Sequence, residues 1–303
     1  MRLIRGTLNV GITTLVLVLA LSLLWAGSRG SLVWTAIAGI AFSFVLLTNY
    51  ALLHEGAHDN LHEDPRWNRW LGVLTGLLFP IPFSMLKVTH TVHHCCNRTD
   101  HEMFDLYYPC DNMFLKRGQW YSLLCGFFWP WIPIGTVLLA TFPAILRTAP
   151  FRRARTTAVL FDDFATRGIT HIRVEAFCIV VFWVALFWAL DLKLLNVLLM
   201  YGCFAFNWST RQYVTHAFTK RDVVNGALNL RISKPMSWLL LKGNWDLVHH
   251  QKPWLPWTEL ESHAGASAPP VSFWSQYLRM WRGPVPATEP APARLAATPA
   301  PVR

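Results

Sequence analysis

Two apolar runs, residues 8–27 (LNVGITTLVLVLALSLLWAG) and 31–53 (SLVWTAIAGIAFSFVLLTNYALL), stand back to back with only Ser28, Arg29 and Gly30 between them. Each is about as long as the roughly 20 helical residues that cross a bilayer core. In hydrocarbon a backbone must satisfy its own hydrogen bonds, so the pair reads as a hairpin of two spanning helices. A second pair, 172–190 and 194–212, flanks Asp191, Leu192 and Lys193. The composition agrees: 53% of the 303 residues are hydrophobic and only 15% are charged, which excludes a disordered chain, a coiled coil and a small disulfide scaffold. A cleaved signal peptide is the rival reading of the first run, because Arg2 and Arg5 precede it. The length of the run and the span that follows at once favour a retained helix. The six cysteines, Cys95, Cys96, Cys110, Cys125, Cys178 and Cys203, contain no CxxC pair and read as reduced thiols.

Positive charge orients the spans. With a cytoplasmic N-terminus, the two outer loops, 28–30 and 191–193, carry only Arg29 and Lys193 of the 27 Lys and Arg. The net charge of +10 is then a consequence of topology, and no nucleic-acid partner is expected. Two further apolar stretches, 70–86 and 119–146, contain internal prolines. Basic residues around Arg98, Lys116 and Arg117, and the cluster Arg147, Arg152, Arg153 and Arg155, put both ends of each stretch on the inner face. Neither stretch has the roughly 40 residues that two full crossings need. Both read as interfacial or re-entrant helices, turned at Pro80–Pro82 and at Pro130–Pro133. Trp67, Trp70, Trp129, Trp131, Trp254 and Trp257 read as interfacial anchors. The tail from 284, rich in Pro and Ala, reads as disordered, which leaves residues 1–283 as one domain. The fold expected is an all-α integral membrane protein with four transmembrane helices, interfacial or re-entrant helices, a cytoplasmic His-rich cap and both termini cytoplasmic.

The histidines gather on that cytoplasmic side. His54 and His58 close the second span, His90, His93 and His94 form an HxxHH cluster, His216 follows the fourth span, and His249 and His250 come later. Residues three or four apart share a helix face, so His54 with His58, and His90 with His93 or His94, can each bind one ion from one side. One four-coordinate zinc would use half of the eight imidazoles, whereas two metals would use them all, and imidazole suits iron as well as zinc. Elsewhere, His62 beside Asp59 and Asn60 reads as solvent-facing, His101 as a loop residue, and His171 and His263 as structural. Cys95 and Cys96 follow the HxxHH cluster but read as non-ligands. The pentapeptide His54-Glu55-Gly56-Ala57-His58 also fits HExxH, the zinc protease pattern with Glu as general base, yet a protease would leave the other histidines without purpose. A metal transporter would place its ligands near mid-span, whereas these lie beyond the span ends.

Three boxes in order resemble the membrane fatty acid desaturase and hydroxylase superfamily over roughly residues 30–260. His54 and His58 match its first box; His90, His93 and His94, continued by Asn97, Thr99 and Asp100, match its second. Asn244-Trp245-Asp246-Leu247-Val248-His249-His250 is similar to its third, with Pro253 to Trp257 like the usual ending. His216 resembles the further histidine that follows the last spans, with Gln212 one turn before it. The resemblance implies a di-iron centre, two Fe ions held by His54, His58, His90, His93, His94, His216, His249 and His250, with O2 as co-substrate. It implies removal of hydrogen from a fatty acyl lipid, most simply as a desaturase. Hydroxylation and oxidative decarboxylation to a terminal alkene are the alternatives. No fused electron-transfer domain is evident, so reductant would come from a separate ferredoxin, rubredoxin or cytochrome. The short length and the absence of a fused electron-transfer domain fit a bacterial inner membrane, and an endoplasmic-reticulum location would obey the same sidedness. The chain departs from the pattern at Asp246, where the family carries His. Asp246 is the candidate catalytic residue, either as an iron ligand or as a group that orients a histidine.

Overall fold

The computed structural model describes residues 2–149, 169–265 and 269–296. The basic residues Arg152, Arg153 and Arg155 lie outside the described residues. Helix α1 (Arg2–Gly27) turns through Ser28–Ser31 into α2 (Leu32–Ala57). The Ser31 hydroxyl oxygen accepts the Trp34 N–H and so caps α2. A second hairpin joins α7 (Thr170–Ala189) to α8 (Leu194–Gln212). The two turns meet: the Arg29 guanidinium donates to the Leu190 carbonyl at 3.1 Å, and the Asn196 amide donates to the Gly27 carbonyl and to the Thr35 hydroxyl, each at 2.8 Å. Four long helices therefore run antiparallel with both short loops at one end and every candidate metal ligand at the other.

Three of the four, α1 from Gly6, α2 and α7, are long and apolar enough to cross a membrane. Helix α8 matches them in length but carries Asn196, Asn207, Arg211 and Gln212, and it packs against α2 instead of presenting an apolar surface all round. Its two asparagines are satisfied inside the bundle, Asn196 as described above and Asn207 by donating its amide to the Ser43 hydroxyl at 2.9 Å. Phe42, Leu46, Met200 and Phe204 are buried between the two helices, while Val33, Ile37, Phe177, Val184 and Trp188 cover the outer faces, as a lipid-facing surface requires.

Between the hairpins, α3 (Pro65–Leu78) and α4 (Phe83–Cys96) meet at 96° across residues 79–82, the break that the prolines there foretell. One carboxylate joins both arms. Glu175 accepts from the Arg69 guanidinium at 2.7 Å, from the Ser84 N–H at 2.7 Å and from the Ser84 hydroxyl at 2.8 Å. The pair thus dips in and returns to the same end of α7.

In the second proline-containing stretch the turn falls earlier than expected. Helix α5 (Met113–Cys125) ends at Gly126 and α6 (Trp131–Thr141) follows, so the chain reverses at 126–130 and Pro133 lies inside the first turn of α6, where it has no helical hydrogen bond to lose. Gly126 adopts φ +88, and its Cα abuts the backbone of Ala205 and Phe206, which leaves no room for a Cβ. Two of the six expected tryptophan anchors are core residues instead: Trp129 stacks on Tyr201, and Trp257 is buried with its indole N–H donating to Asn9 at 3.0 Å.

At the histidine end lie short helices α9 (Lys234–Leu239), α10 (Asp246–Gln251), α11 (Trp257–Leu260) and α12 (Phe273–Met280). Four two-residue strands add to them: β1 (Leu106–Tyr107) pairs in parallel with β4 (Val285–Pro286), and β2 (Leu230–Arg231) with β3 (Val271–Ser272). The tail differs from expectation as far as residue 296. Beyond the β4 pairing, Ala287 donates to the Tyr107 carbonyl at 2.9 Å, Leu295 donates to the Cys95 carbonyl at 3.0 Å, and Glu289 accepts the Arg221 N–H at 2.8 Å. Proline-rich chain has few donors of its own, yet it can lie as an edge segment on a neighbouring strand.

Candidate metal centre

The last turn of α2 presents His54 and His58 one above the other, and it is held in place by a polar knot. Asn68 donates to the Gly56 carbonyl at 3.0 Å and accepts the Leu61 N–H at 2.9 Å, while Asn9 donates to the Leu61 carbonyl at 2.8 Å. Glu55, the intervening acid, is buried, and its Oε2 accepts the Trp257 N–H at 3.0 Å. Helix α4 brings His90, His93 and His94 across from the other side, and α10 brings His249 and His250 from above.

The eight imidazoles converge. His54, His58, His90 and His249 place one ring nitrogen each within 4.8 Å of one another, and His93, His216 and His250 form a second such group. His94 lies between them: its Nε2 is 3.1 Å from Nε2 of both His90 and His249, and its ring centroid is 4.4 Å from that of His250. His58 and His90 approach at 2.7 Å, and His93 and His250 at 3.2 Å, again Nε2 to Nε2.

Two outer nitrogens are tied down, so the inner lone pairs of His93 and His216 are defined. His93 donates its Nδ1–H to the Glu102 carboxylate at 2.6 Å, and His216 donates its Nδ1–H to the Gly226 carbonyl at 3.2 Å. Their Nε2 atoms then face inward as acceptors. Asp246, at the first position of α10, puts its Oδ2 at 3.2 Å from His216 Nε2, and this buried oxygen has no hydrogen-bond donor. Acceptor facing acceptor at these separations is repulsive unless a cation lies between them, so the donor set fits a metal. Burial pushes His249 and His250 well below the ordinary histidine range, and their imidazole neighbours push the same way. His216 is lowered by burial as well, partly offset by the Asp246 carboxylate. A neutral imidazole is the ligating form.

Every histidine expected at the centre is thus brought into it, and Asp246 adjoins the second group. His62, His101, His171 and His263 belong to neither group. His101, half-buried in a turn, lines the adjoining cavity. Cys95 and Cys96, in the last turn of α4, are buried together with Val92, also outside both groups. Glu102 is a partner that spacing did not disclose: it lies nine residues beyond His93, and only the fold-back in which Asn97 bridges to Glu102 returns it to the site.

That fold-back is anchored by a fully buried ion pair. Arg98 donates to Asp105 at 2.6 Å, to the Tyr213 hydroxyl at 3.1 Å and to the Thr219 carbonyl at 2.8 Å. The same contacts clamp the 213–219 segment that carries His216. Beside the centre opens a cavity of about 480 Å³, lined by His54, His90, His93 and Asp246 on one side and by residues such as Leu47, Leu86, Leu123, Phe128 and Ile232 elsewhere. Its size suits a small molecule or lipid chain, for which pockets of roughly 300–1,000 Å³ are usual.

Among curated proteins, none matches the chain. The family model for fatty acid desaturases matches residues 30–281, which takes in the three long helices from α2 onward, the bent pair and all eight histidines, and the chain belongs to the fatty acid desaturase family.

Proposed function

We propose that the chain is a membrane-bound di-iron oxidoreductase that uses O2 and external electrons to oxidise a fatty acyl chain, introducing a C=C bond. One observation carries the reading: two adjoining groups of buried and half-buried imidazoles, of which His54, His90, His93, His216 and His249 reach its wall, lie against a largely apolar cavity large enough for a lipid chain. Two irons, when bound, would supply the O2 activation and hydrogen removal that protein side chains cannot. His54, His58, His90 and His249 would hold one ion, His93, His216 and His250 with Asp246 the other, and His94 reaches toward both. Glu102 and the Gly226 carbonyl orient two of these imidazoles, while the apolar walls exclude water and fix which carbon is presented. Electrons come from a separate ferredoxin, rubredoxin or cytochrome.

Helix α8 is the fourth span in this reading, and the metal end and both termini face the cytoplasm of a bacterial inner membrane. In support, the two hairpin turns share the opposite end and carry only Arg29 and Lys193. Asp246 favours a second reading, hydroxylation or oxidative decarboxylation to a terminal alkene, because it sets a carboxylate beside His216 where the family has an imidazole. A zinc protease is disfavoured, since Glu55, which would have to act as its base, is engaged by the Trp257 backbone.

The test is metal content of the detergent-purified chain by mass spectrometry, followed by reduction and measurement of O2 uptake and lipid products. About two irons per chain with lipid-dependent uptake is the expected result. One zinc and no uptake would overturn the reading.

A further inference from the structure

Arg211 is the one Arg or Lys among the described residues that line the cavity. It sits in the last turn of α8, and its guanidinium lies over the ring of Phe273, another wall residue, at 5.2 Å from the centroid. Its Nε is buried without a hydrogen-bond acceptor, and no carboxylate pairs with it among the described residues. The buried guanidiniums are treated differently: Arg98 has Asp105, and Arg221 has Asp100 at 2.7 Å. Arg211 is half-buried in the cavity wall without an anion of its own, and a partly desolvated cation is stabilised by an anionic ligand.

We propose that Arg211 receives the carboxylate of an unesterified fatty acid, whose hydrocarbon chain occupies the apolar cavity and extends toward the histidines. The inference deepens the function proposed above and rests on it for the acyl nature of the substrate. One guanidinium matches one carboxylate in charge and, through two parallel N–H···O bonds, in shape. A phosphomonoester, with about 1.5 to 2 negative charges, would bring more than the single cation in the wall balances. The wall of the same cavity also carries His54, His90 and Asp246, so one bound chain would meet the guanidinium and the histidines within a single cavity.

The experiment is calorimetric titration of the full chain in nonionic detergent, before and after metal removal by a chelator, with laurate, methyl laurate and dodecyl phosphate as probes. Laurate is expected to bind more tightly than its ester in both metal states. Arg211→Gln should weaken laurate about ten- to a hundredfold, the loss of a charge-assisted pair, and leave methyl laurate unchanged, which also reports an intact cavity. Arg211→Lys should keep part of the preference, and it replaces the Gln variant if that fails to fold. Equal binding of acid and ester by the unaltered chain, unchanged laurate affinity in Arg211→Gln, or tighter binding of dodecyl phosphate would each overturn the assignment. Binding is read here without turnover. Loss of the preference therefore sinks the head-group assignment alone, whereas a chain that keeps the preference but is purified without iron and takes up no O2 sinks the oxidoreductase reading alone.

Discussion

The Glu102 carboxylate accepts the Nδ1–H of His93 at 2.6 Å, and so determines that Nε2 is the nitrogen that faces His216 and His250. An oriented imidazole binds metal without first losing rotational freedom or changing tautomer. Glu102→Ala should therefore lower the affinity of the second histidine group, or the turnover that depends on it, by about 10- to 100-fold. Glu102→Gln keeps an acceptor oxygen but not the charge and should fall between. Competitive chelator titration of the purified variants reads the effect. Unchanged affinity in Glu102→Ala would mean that the packing of α4 alone orients His93.

The two groups make a separable prediction about stoichiometry. His54→Ala removes a ligand from one group and His216→Ala from the other, so each variant should retain about half of the bound metal. His94→Ala, whose Nε2 lies 3.1 Å from both His90 and His249 and whose ring packs on His250, should lower occupancy of both groups and abolish product. Metal-to-protein ratios by mass spectrometry decide this. Full loss in both His54→Ala and His216→Ala would show that the two groups bind only cooperatively.

Asp246 offers a change in outcome instead of a loss. Its Oδ2 faces His216 Nε2 at 3.2 Å with no donor of its own, so Asp246→His exchanges an anionic oxygen for a neutral nitrogen at the edge of the second group. If the carboxylate sets the reaction, that variant should keep its metal while the ratio of desaturated, hydroxylated and decarboxylated lipid shifts, as read by gas chromatography of the products. An unchanged profile with full metal content would make Asp246 a tolerated replacement.

The long apolar helices and the clustering of the histidines were legible because both rest on local periodicity. An apolar run of the right length and a histidine repeated at four residues need no knowledge of the tertiary fold. What was not legible depends on long-range closure. Glu102 reaches His93 only because a turn folds 97–102 back, and Pro133 was misleading because a proline ends a helix in its interior but is accepted in its first turn. Trp129 and Trp257 have the composition of interfacial anchors, yet Tyr201 and Asn9 supply each with a buried partner. The Pro- and Ala-rich tail has no core of its own and is ordered through 296 by borrowing the acceptors of Tyr107 and Cys95.

Arg98 and Asp105 illustrate the same point energetically. Both side chains are fully buried, and together they fasten the turn that carries Glu102 to the segment that carries His216. Removing one partner leaves an uncompensated buried charge, for which about 3–5 kcal/mol is typical. Asp105→Ala should lower the thermal midpoint and release metal, and Arg98→Met combined with Asp105→Ala should recover part of the loss because neither charge then remains. Thermal unfolding can be followed by thiol labelling of the buried Cys95 and Cys96. A double variant no more stable than Asp105→Ala would indicate that the pair's hydrogen bonds to Tyr213 and Thr219, and not its charge balance, carry the stability.

Glu55 separates the proposed oxidoreductase from its zinc protease rival. In a protease the carboxylate would activate water at the metal, and Glu55→Gln would abolish activity because an amide cannot take the proton. In this structure Oε2 accepts the Trp257 N–H at 3.0 Å, an interaction that ties the end of α2 to α11 across 202 residues. A glutamine oxygen can accept the same bond, so Glu55→Gln should keep its metal and its O2-dependent turnover within a few-fold. Glu55→Ala leaves a buried N–H unsatisfied and should cost about 1–3 kcal/mol of stability, seen as a lower thermal midpoint, without altering the products formed. Complete loss of activity in a Glu55→Gln protein that still folds and binds metal would instead make this carboxylate a participant in the chemistry.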